Sequence, residues 1–166
     1  NLEVDRFVRI NSHSEPLIEY ISYLRDAPYD RILFLDTDTH ICTDLSELFE
    51  LLDNFDIAVA HDSVRVKDNY EPGIPESFPT FNTGVILYRN STKCMDLITE
   101  WESLYRDYAE QISERLYSPD GSSYANDQPF FREALYESNA RFNVLPPEYN
   151  CRFAYPGYVQ QDVKIV

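Results

Sequence analysis

Arg31-Ile32-Leu33-Phe34-Leu35-Asp36-Thr37-Asp38 joins a short unbroken apolar run to two carboxylates one residue apart. An apolar run of this length, without polar alternation, predicts a strand covered on both faces. Asp36 and Asp38 then follow its carboxyl end, where open α/β sheets bind their ligands. Two carboxylates so spaced can reach one cation, and hard oxygen donors suit Mn2+ or Mg2+. In an Asp-rich chain a single Asp-x-Asp also arises by chance, as a turn or an Asx cap, so the strand before it carries the weight.

Upstream, residues 2–10 alternate weakly, as a strand or an extended segment. From Ser14 the pattern turns helical, with Pro16 in the first turn and Leu17, Ile18, Ile21 and Leu24 on one face. Downstream, Asp44-Leu45-Ser46-Glu47 has the pattern of a capping box and predicts a helix to about Leu52. Phe55–His61 reads as a second buried strand, and residues 62–80, with Pro72, Gly73, Pro75 and Pro79, as a long loop. Gly84–Arg89 predicts a third strand.

Cys94, Leu97, Ile98, Trp101, Leu104, Tyr105 and Tyr108 recur at spacings of three and four, so Lys93 to Gln111 predicts an amphipathic helix with a core stripe. Residues 118–123 read as a loop. Asn126 caps a short helix from Asp127 to about Glu137. Phe142–Leu145 is a fourth strand, stopped by Pro146-Pro147, and Val163–Val166 looks like the start of a fifth. Strands alternating with helices predict an α/β fold, a single domain over residues 1–166.

The chain carries 14 basic and 29 acidic residues, a formal net charge of −15. That balance excludes a nucleic-acid partner, which needs a Lys/Arg footprint. Excess acid ordinarily serves solubility. If such a chain handles a phosphorylated substrate, a cation held by carboxylates has to stand between them. No apolar run reaches membrane-span length. No signal-peptide pattern opens the chain, and both ends read as cut; the expected compartment is the cytoplasm, or the Golgi lumen for a eukaryotic parent. Cys42, Cys94 and Cys151, an odd count without CxxC spacing, read as small buried hydrophobes. His13, His40 and His61 read as ordinary surface residues.

Phe81-Asn82-Thr83-Gly84 precedes a strand. Gly84 there would let backbone approach a ligand closely, and Asn82 offers both a donor and an acceptor to hydroxyls. Asp127, in Asn126-Asp127-Gln128, could accept hydrogen bonds from sugar hydroxyls or satisfy a helix dipole. Taken alone, each segment is more ordinarily a turn or a cap.

Their order carries more. Leu35-Asp36-Thr37-Asp38, Asp44-Leu45-Ser46-Glu47-Leu48-Phe49, Phe81-Asn82-Thr83-Gly84-Val85, Asn126-Asp127-Gln128 and Leu145-Pro146-Pro147-Glu148-Tyr149-Asn150 together resemble nucleotide-diphospho-sugar transferases of glycosyltransferase family 8, the glycogenin-like and bacterial galactosyltransferase-like enzymes. The resemblance covers residues 28–151. It implies a GT-A fold with a mixed, mostly parallel sheet flanked by helices, and transfer of a sugar from a nucleotide-diphosphate donor, a UDP-sugar, with retention. Asp36 and Asp38 would hold Mn2+ (or Mg2+) against the diphosphate. Thr37, Asn82, Gly84 and Asp127 would bind the donor, and Asp127 and Gln128 would be the catalytic pair, Gln128 near the reacting carbon.

Three features depart from the family pattern. Its nucleotide-gripping first strand and helix have no counterpart before Asn1. Its third metal ligand, a His in a K-I-x-H pattern, is not reached by Lys164-Ile165-Val166. Its Asp-Gln-Asp is Asp127-Gln128-Pro129 here.

Two other readings remain. Haloacid-dehalogenase phosphatases also open on an apolar strand and Asp-x-Asp, which would make Asp36 a nucleophile and Asp38 an acid/base. They place Thr or Val where this chain has His40, and a later Gly-Asp pair is missing. The other is a GT-A-like module that binds without catalysis.

Overall fold

The computed structural model describes residues 16–62, 73–111, 126–154 and 158–166. Expectations for residues 2–10, for His13 and Ser14, for most of the 62–80 loop and for 118–123 lie outside them. The order is α1 (Pro16–Arg25), β1 (Arg31–Leu35), a 3-10 helix (Ser46–Asp53), β2 (Ile57–His61), β3 (Phe81–Arg89), α2 (Thr92–Gln111), α3 (Gln128–Glu137), β4 (Phe142–Leu145) and a 3-10 turn (Pro147–Tyr149). Among the described residues no helix is long and apolar enough to cross a membrane.

The strands form one mixed sheet in the order β1-β3-β2-β4. β2 pairs with β4 in parallel, and β3 runs antiparallel between β1 and β2. Three of the four strands therefore point the same way. The carboxyl ends of β1, β2 and β4 and the amino end of β3 share one end of the sheet.

Side chains alternate across the strands and build two cores. Ile57, Val59, Ile86 and Tyr88 face α1, α2 and α3, where Trp101, Tyr105, Phe130 and Phe131 are buried. Ala58, Ala60, Val85 and Leu87 face the other way, onto Leu45, Leu48, Leu52 and Ile165. Trp101 is the hinge of the first core: its ring meets Phe131 edge-on at 5.0 Å and Tyr20 at 5.8 Å.

Several expectations are corrected. The segment after Asp44 is a 3-10 helix, Ser46–Asp53, with Leu45 as its N-cap and no side-chain cap. Asp44 Oδ1 accepts from both the backbone N–H (2.9 Å) and the hydroxyl (2.6 Å) of Ser46. Glu47 accepts from the Tyr149 hydroxyl instead of reaching back. Both side chains of the expected box are thus engaged elsewhere.

β3 begins at Phe81, so Asn82-Thr83-Gly84 lies inside the strand and is not a turn before it. Val163–Val166 makes no ladder. It meets residues 40–42 through one bridge, Ile41 to Ile165, and its amides at 164 and 165 both turn to Glu148 O. Only Cys94 of the three free cysteines is buried; Cys42 is exposed and Cys151 intermediate.

Candidate functional site

Asp36 is the first residue past β1, and its amide donates to Gly84 O at 2.9 Å. That bond keeps the chain against β3 for one more residue and then releases it into a turn, closed by the Thr39 hydroxyl on Asp36 O at 2.7 Å. Asp36, Thr37 and Asp38 are all exposed on that turn.

Across from it, β3 changes register. Val59 pairs with Ile86, yet the next residue, Ala60, pairs with Asn82. Thr83, Gly84 and Val85 are extra on β3 relative to β2, while Val85 still pairs with Leu35 of β1. A bulge of this kind re-aims side chains beside it, and such irregularities gather next to functional sites.

Gly84 sits at its centre. A Cβ there would lie 2.7 Å from Asp36 Oδ2 and 2.9 Å from Asn82 Oδ1, closer than real Cβ atoms come. Only a glycine lets these two oxygen-bearing side chains lie over the strand together. The close approach expected of Gly84 is thus made by the protein's own side chains. Asn82 Oδ1 accepts from the Gly84 amide at 3.0 Å and from Asn150 Nδ2 at 2.7 Å.

Asp127 is brought in by α3. It is the N-cap residue of that helix, but its side chain makes no cap bond. The Asn126 carbonyl oxygen takes that part, accepting from the Gln128 amide at 3.1 Å. The Asp127 carboxylate turns inward, 8% exposed. Its Oδ2 accepts from the Thr83 hydroxyl at 3.0 Å and from the Tyr20 hydroxyl of α1. Its carbonyl accepts from Trp101 Nε1 at 3.1 Å.

With its amide turned to satisfy its neighbours, Gln128 donates to Asp62 Oδ2 at 2.8 Å and to Phe81 O at 3.2 Å, and accepts from Asn82 Nδ2 at 3.2 Å. Asp62, the residue just past β2, is buried and accepts from Arg152 Nη1 at 3.3 Å.

The electrostatics follow from this crowding. Partial burial holds the Asp36 carboxyl above the usual carboxylate range, and the charges of Asp38 and Asp127 push it further the same way. Burial and the neighbouring Asp127 raise the Tyr20 phenol far above its ordinary value, so it remains a donor. Asp36 and Asp38 supply the hard oxygens that a divalent cation prefers, and a cation would relieve the repulsion at Asp36. That donor set fits Mn2+ or Mg2+. Among the described residues no group of three or more His, Cys, Asp or Glu side chains converges on one point. His40 and His61 are exposed.

The structure brings Asp36, Asn82, Gly84, Asp127 and Gln128 to one end of the sheet, with Thr37 and Asp38 on the turn beside them. Sequence reasoning missed Asp62, Tyr20, Thr83, Asn150 and Arg152 as parts of this network. Asp62 could have been found, because it follows an apolar strand as Asp36 does. Tyr20 and Arg152 carry no local signal. A separate groove of about 380 Å³ between α2 and α3, lined in part by Lys93, Asp96, Glu100 and Glu137, lies at the other end of the sheet and shares none of these residues.

No family model matches the chain, and no curated protein matches it. Among solved structures it is similar to the galactosyltransferase LgtC in complex with donor and acceptor sugar analogs, with TM-score 0.55 and 14% identity, over 90% of this chain and 56% of that one. An active-site Gln-to-Glu mutant of LgtC matches with TM-score 0.51 and 16% identity over the same shares, 90% and 56%. The glycosyltransferase GlyE of Streptococcus pneumoniae TIGR4 matches at 24% identity and TM-score 0.49, over 85% of this chain and 30% of that one. The chain thus spans about half the length of LgtC and under a third of GlyE. The likeness to LgtC shows the fold: this mixed sheet with its helices is a GT-A-type α/β fold.

Proposed function

We propose that this chain is part of the catalytic domain of a hexosyltransferase. It would move a sugar, with retention, from a nucleotide-diphosphate donor of the UDP-sugar type to an acceptor. One observation carries the reading: Asp36, Asn82, Asp127 and Gln128, far apart in sequence, converge around Gly84 at the ligand-binding end of a sheet shaped like that of LgtC. LgtC was solved with donor and acceptor sugar analogs, and its mutated active-site residue is a glutamine.

Asp36 and Asp38 would hold a divalent cation, Mn2+ or Mg2+. When bound, the cation supplies charge neutralisation for a departing diphosphate. Thr37, between its ligands, would meet the donor. Asn82 and Gln128 hold each other by an amide–amide bond, so as donor-binding residues they would lose little freedom when it binds. Asp127 is fixed by Tyr20 and Thr83, as a residue that accepts hydrogen bonds from one sugar hydroxyl set has to be. No nucleophile is assigned.

The test uses the full parent protein, a panel of nucleotide sugars and a generic phosphate monoester, each with and without chelator. The expected result is slow release of nucleoside diphosphate from at least one nucleotide sugar, abolished by chelator. Phosphate released from the monoester, with no nucleoside diphosphate from any donor, would transfer the site to phosphatase chemistry with Asp36 as nucleophile. Donor binding without turnover would make it a non-catalytic module.

A further inference from the structure

Asp62 is a buried carboxylate outside the donor and metal sets, 5% exposed at the end of β2. Its amide donates to Thr80 O at 2.9 Å and its carbonyl accepts from the Thr80 hydroxyl at 3.2 Å, so its backbone is fixed against the entry to β3. Its carboxylate is held from two sides. Oδ1 accepts from Arg152 Nη1 at 3.3 Å, and Oδ2 accepts from the Gln128 amide at 2.8 Å.

A carboxamide carries two N–H groups and two carbonyl lone pairs. Gln128 uses both N–H groups inside the protein, on Asp62 Oδ2 and, at 3.2 Å, on Phe81 O. Its carbonyl takes one bond from Asn82 Nδ2 at 3.2 Å, which leaves one lone pair. Asn82 is filled the other way. Its carbonyl oxygen accepts from the Gly84 amide at 3.0 Å and from Asn150 Nδ2 at 2.7 Å. Its amide gives one hydrogen to Gln128, which leaves one N–H. The pair therefore offers a ligand one N–H and, beside it, one carbonyl lone pair. A hydroxyl, which accepts and donates through a single oxygen, complements that pair. The two amides do not set this polarity themselves, since turning both over would preserve their mutual bond. It is set at the two ends of the network: the Asp62 carboxylate only accepts, and the Gly84 amide only donates.

We infer that Asp62 is a positioning residue for the donor sugar: it orients the Gln128 carboxamide so that one Asn82 N–H and one Gln128 carbonyl lone pair face a sugar hydroxyl. Arg152 holds the Asp62 carboxylate in place for this from outside the donor-binding set. The role rests on the glycosyl-transfer reading, whose donor residues these two amides are.

Asp62→Asn keeps the size of the side chain and replaces one acceptor oxygen with a donor. With Arg152 on the remaining oxygen, that donor meets the Gln128 N–H groups and breaks the polarity of the network. Two readouts are taken on the full parent protein. In the first, glutamine side chains carry 15N, and the Gln128 amide is assigned through its own backbone correlations. Both of its protons should be protected from solvent exchange in wild type, a measurement that needs no variant. At least one should exchange about tenfold faster in Asp62→Asn. In the second, calorimetry in Mn2+ compares UDP-galactose and UDP-glucose with UDP, which lacks the sugar. The UDP-sugar that wild type binds should bind about tenfold more weakly to Asp62→Asn, with UDP affinity unchanged. One monodeoxy analogue of that sugar should bind both proteins alike, because the hydroxyl that the amides meet is gone. Equal weakening of UDP and UDP-sugar would make Asp62 a support of the fold alone and overturn the role. So would unchanged affinity for the sugar, a difference that persists in every monodeoxy analogue, or an unprotected Gln128 amide in wild type. Loss of Gln128 protection in Asp62→Asn, in a protein that neither binds nor cleaves a nucleotide sugar, upholds the orienting of Gln128 by Asp62 and removes the transferase reading instead.

Discussion

Asp56, just before β2, and Glu102 of α2 contrast with Asp36 and Asp127 at the carboxyl end of the sheet. Glu102 accepts from Arg106 at 2.6 Å, Arg25 at 3.0 Å and Ser22 at 3.0 Å. Asp56 takes the Arg141 amide at 2.8 Å and has Lys93 at 3.4 Å. Burial raises both carboxyls, but these partners outweigh it and hold both below the usual range. At the sheet end the opposite holds. Asp36 is raised, with like charges for company, and Asp127 is met by neutral hydroxyls. Where this fold uses a carboxylate for its own architecture, it supplies the cation. That leaves Asp36 as the carboxylate whose repulsion a bound cation would relieve.

The sharpest way to break that contrast is substitution on each side. Asp36→Asn should reduce nucleotide-sugar cleavage on the order of 100-fold, because a ligand to charge on the leaving group is lost. It should leave thermal stability unchanged or slightly raised, since it removes like-charge repulsion. A large loss of stability would mean that Asp36 belongs with Glu102. Glu102→Ala should do the reverse: a loss of about 1–2 kcal/mol in denaturant unfolding, with turnover per folded molecule intact. The cost is held down because Arg25 and Arg106 are each more than a third exposed and can rehydrate.

Gly84→Ala tests the geometry between the two sides. The methyl would meet Asp36 Oδ2, an exposed side-chain end that can swing away, and Asn82 Oδ1, which is buried and held by the Gly84 amide and Asn150. Stability should fall by about 1–3 kcal/mol. Mn2+ affinity and donor cleavage should each fall by about tenfold, as when a ligand's support is lost. Unchanged Mn2+ affinity, by calorimetry, would show that the packing over Gly84 does not set the site.

The smallest effect is in acid. Asp56 and Glu102 have depressed folded-state values, so their contribution is present above the unfolded carboxylate range and is lost as pH falls through the folded values. Asp36, raised when folded, contributes with the opposite sign: its penalty is felt at neutral pH and disappears as it protonates. An acid titration of the unfolding midpoint should therefore drop less steeply in Glu102→Gln than in wild type, and slightly more steeply in Asp36→Asn. Parallel curves would remove the distinction.

Legibility followed the same division. α2 was readable from its local periodicity, β1 and β4 as short apolar runs, and the two aspartates because they follow such a run; β1, expected to be covered on both faces, is instead a half-exposed edge strand. Asn82-Thr83-Gly84 read as a turn because its small polar residues suit one; the pairing of Val85 with Leu35 on one side and of Phe81 and Asn82 with His61 and Ala60 on the other keeps it in the strand. The helix after Asp44 read as an α-helix because a capping box is a pattern of residue types. Which bonds form was settled by Tyr149, more than a hundred positions away, taking Glu47. The network around Gln128 was half legible. Asn82 and Asp127 stood out, while Asp62, Tyr20 and Arg152 enter through contacts between distant elements.

Calorimetric titration of Mn2+ into the full parent protein, alongside Asp36→Asn and Asp38→Asn, tests the central claim most directly. A site built from these carboxylates predicts saturable binding in wild type and at least about tenfold weaker binding in each variant. Equal Mn2+ affinity in all three proteins would contradict it.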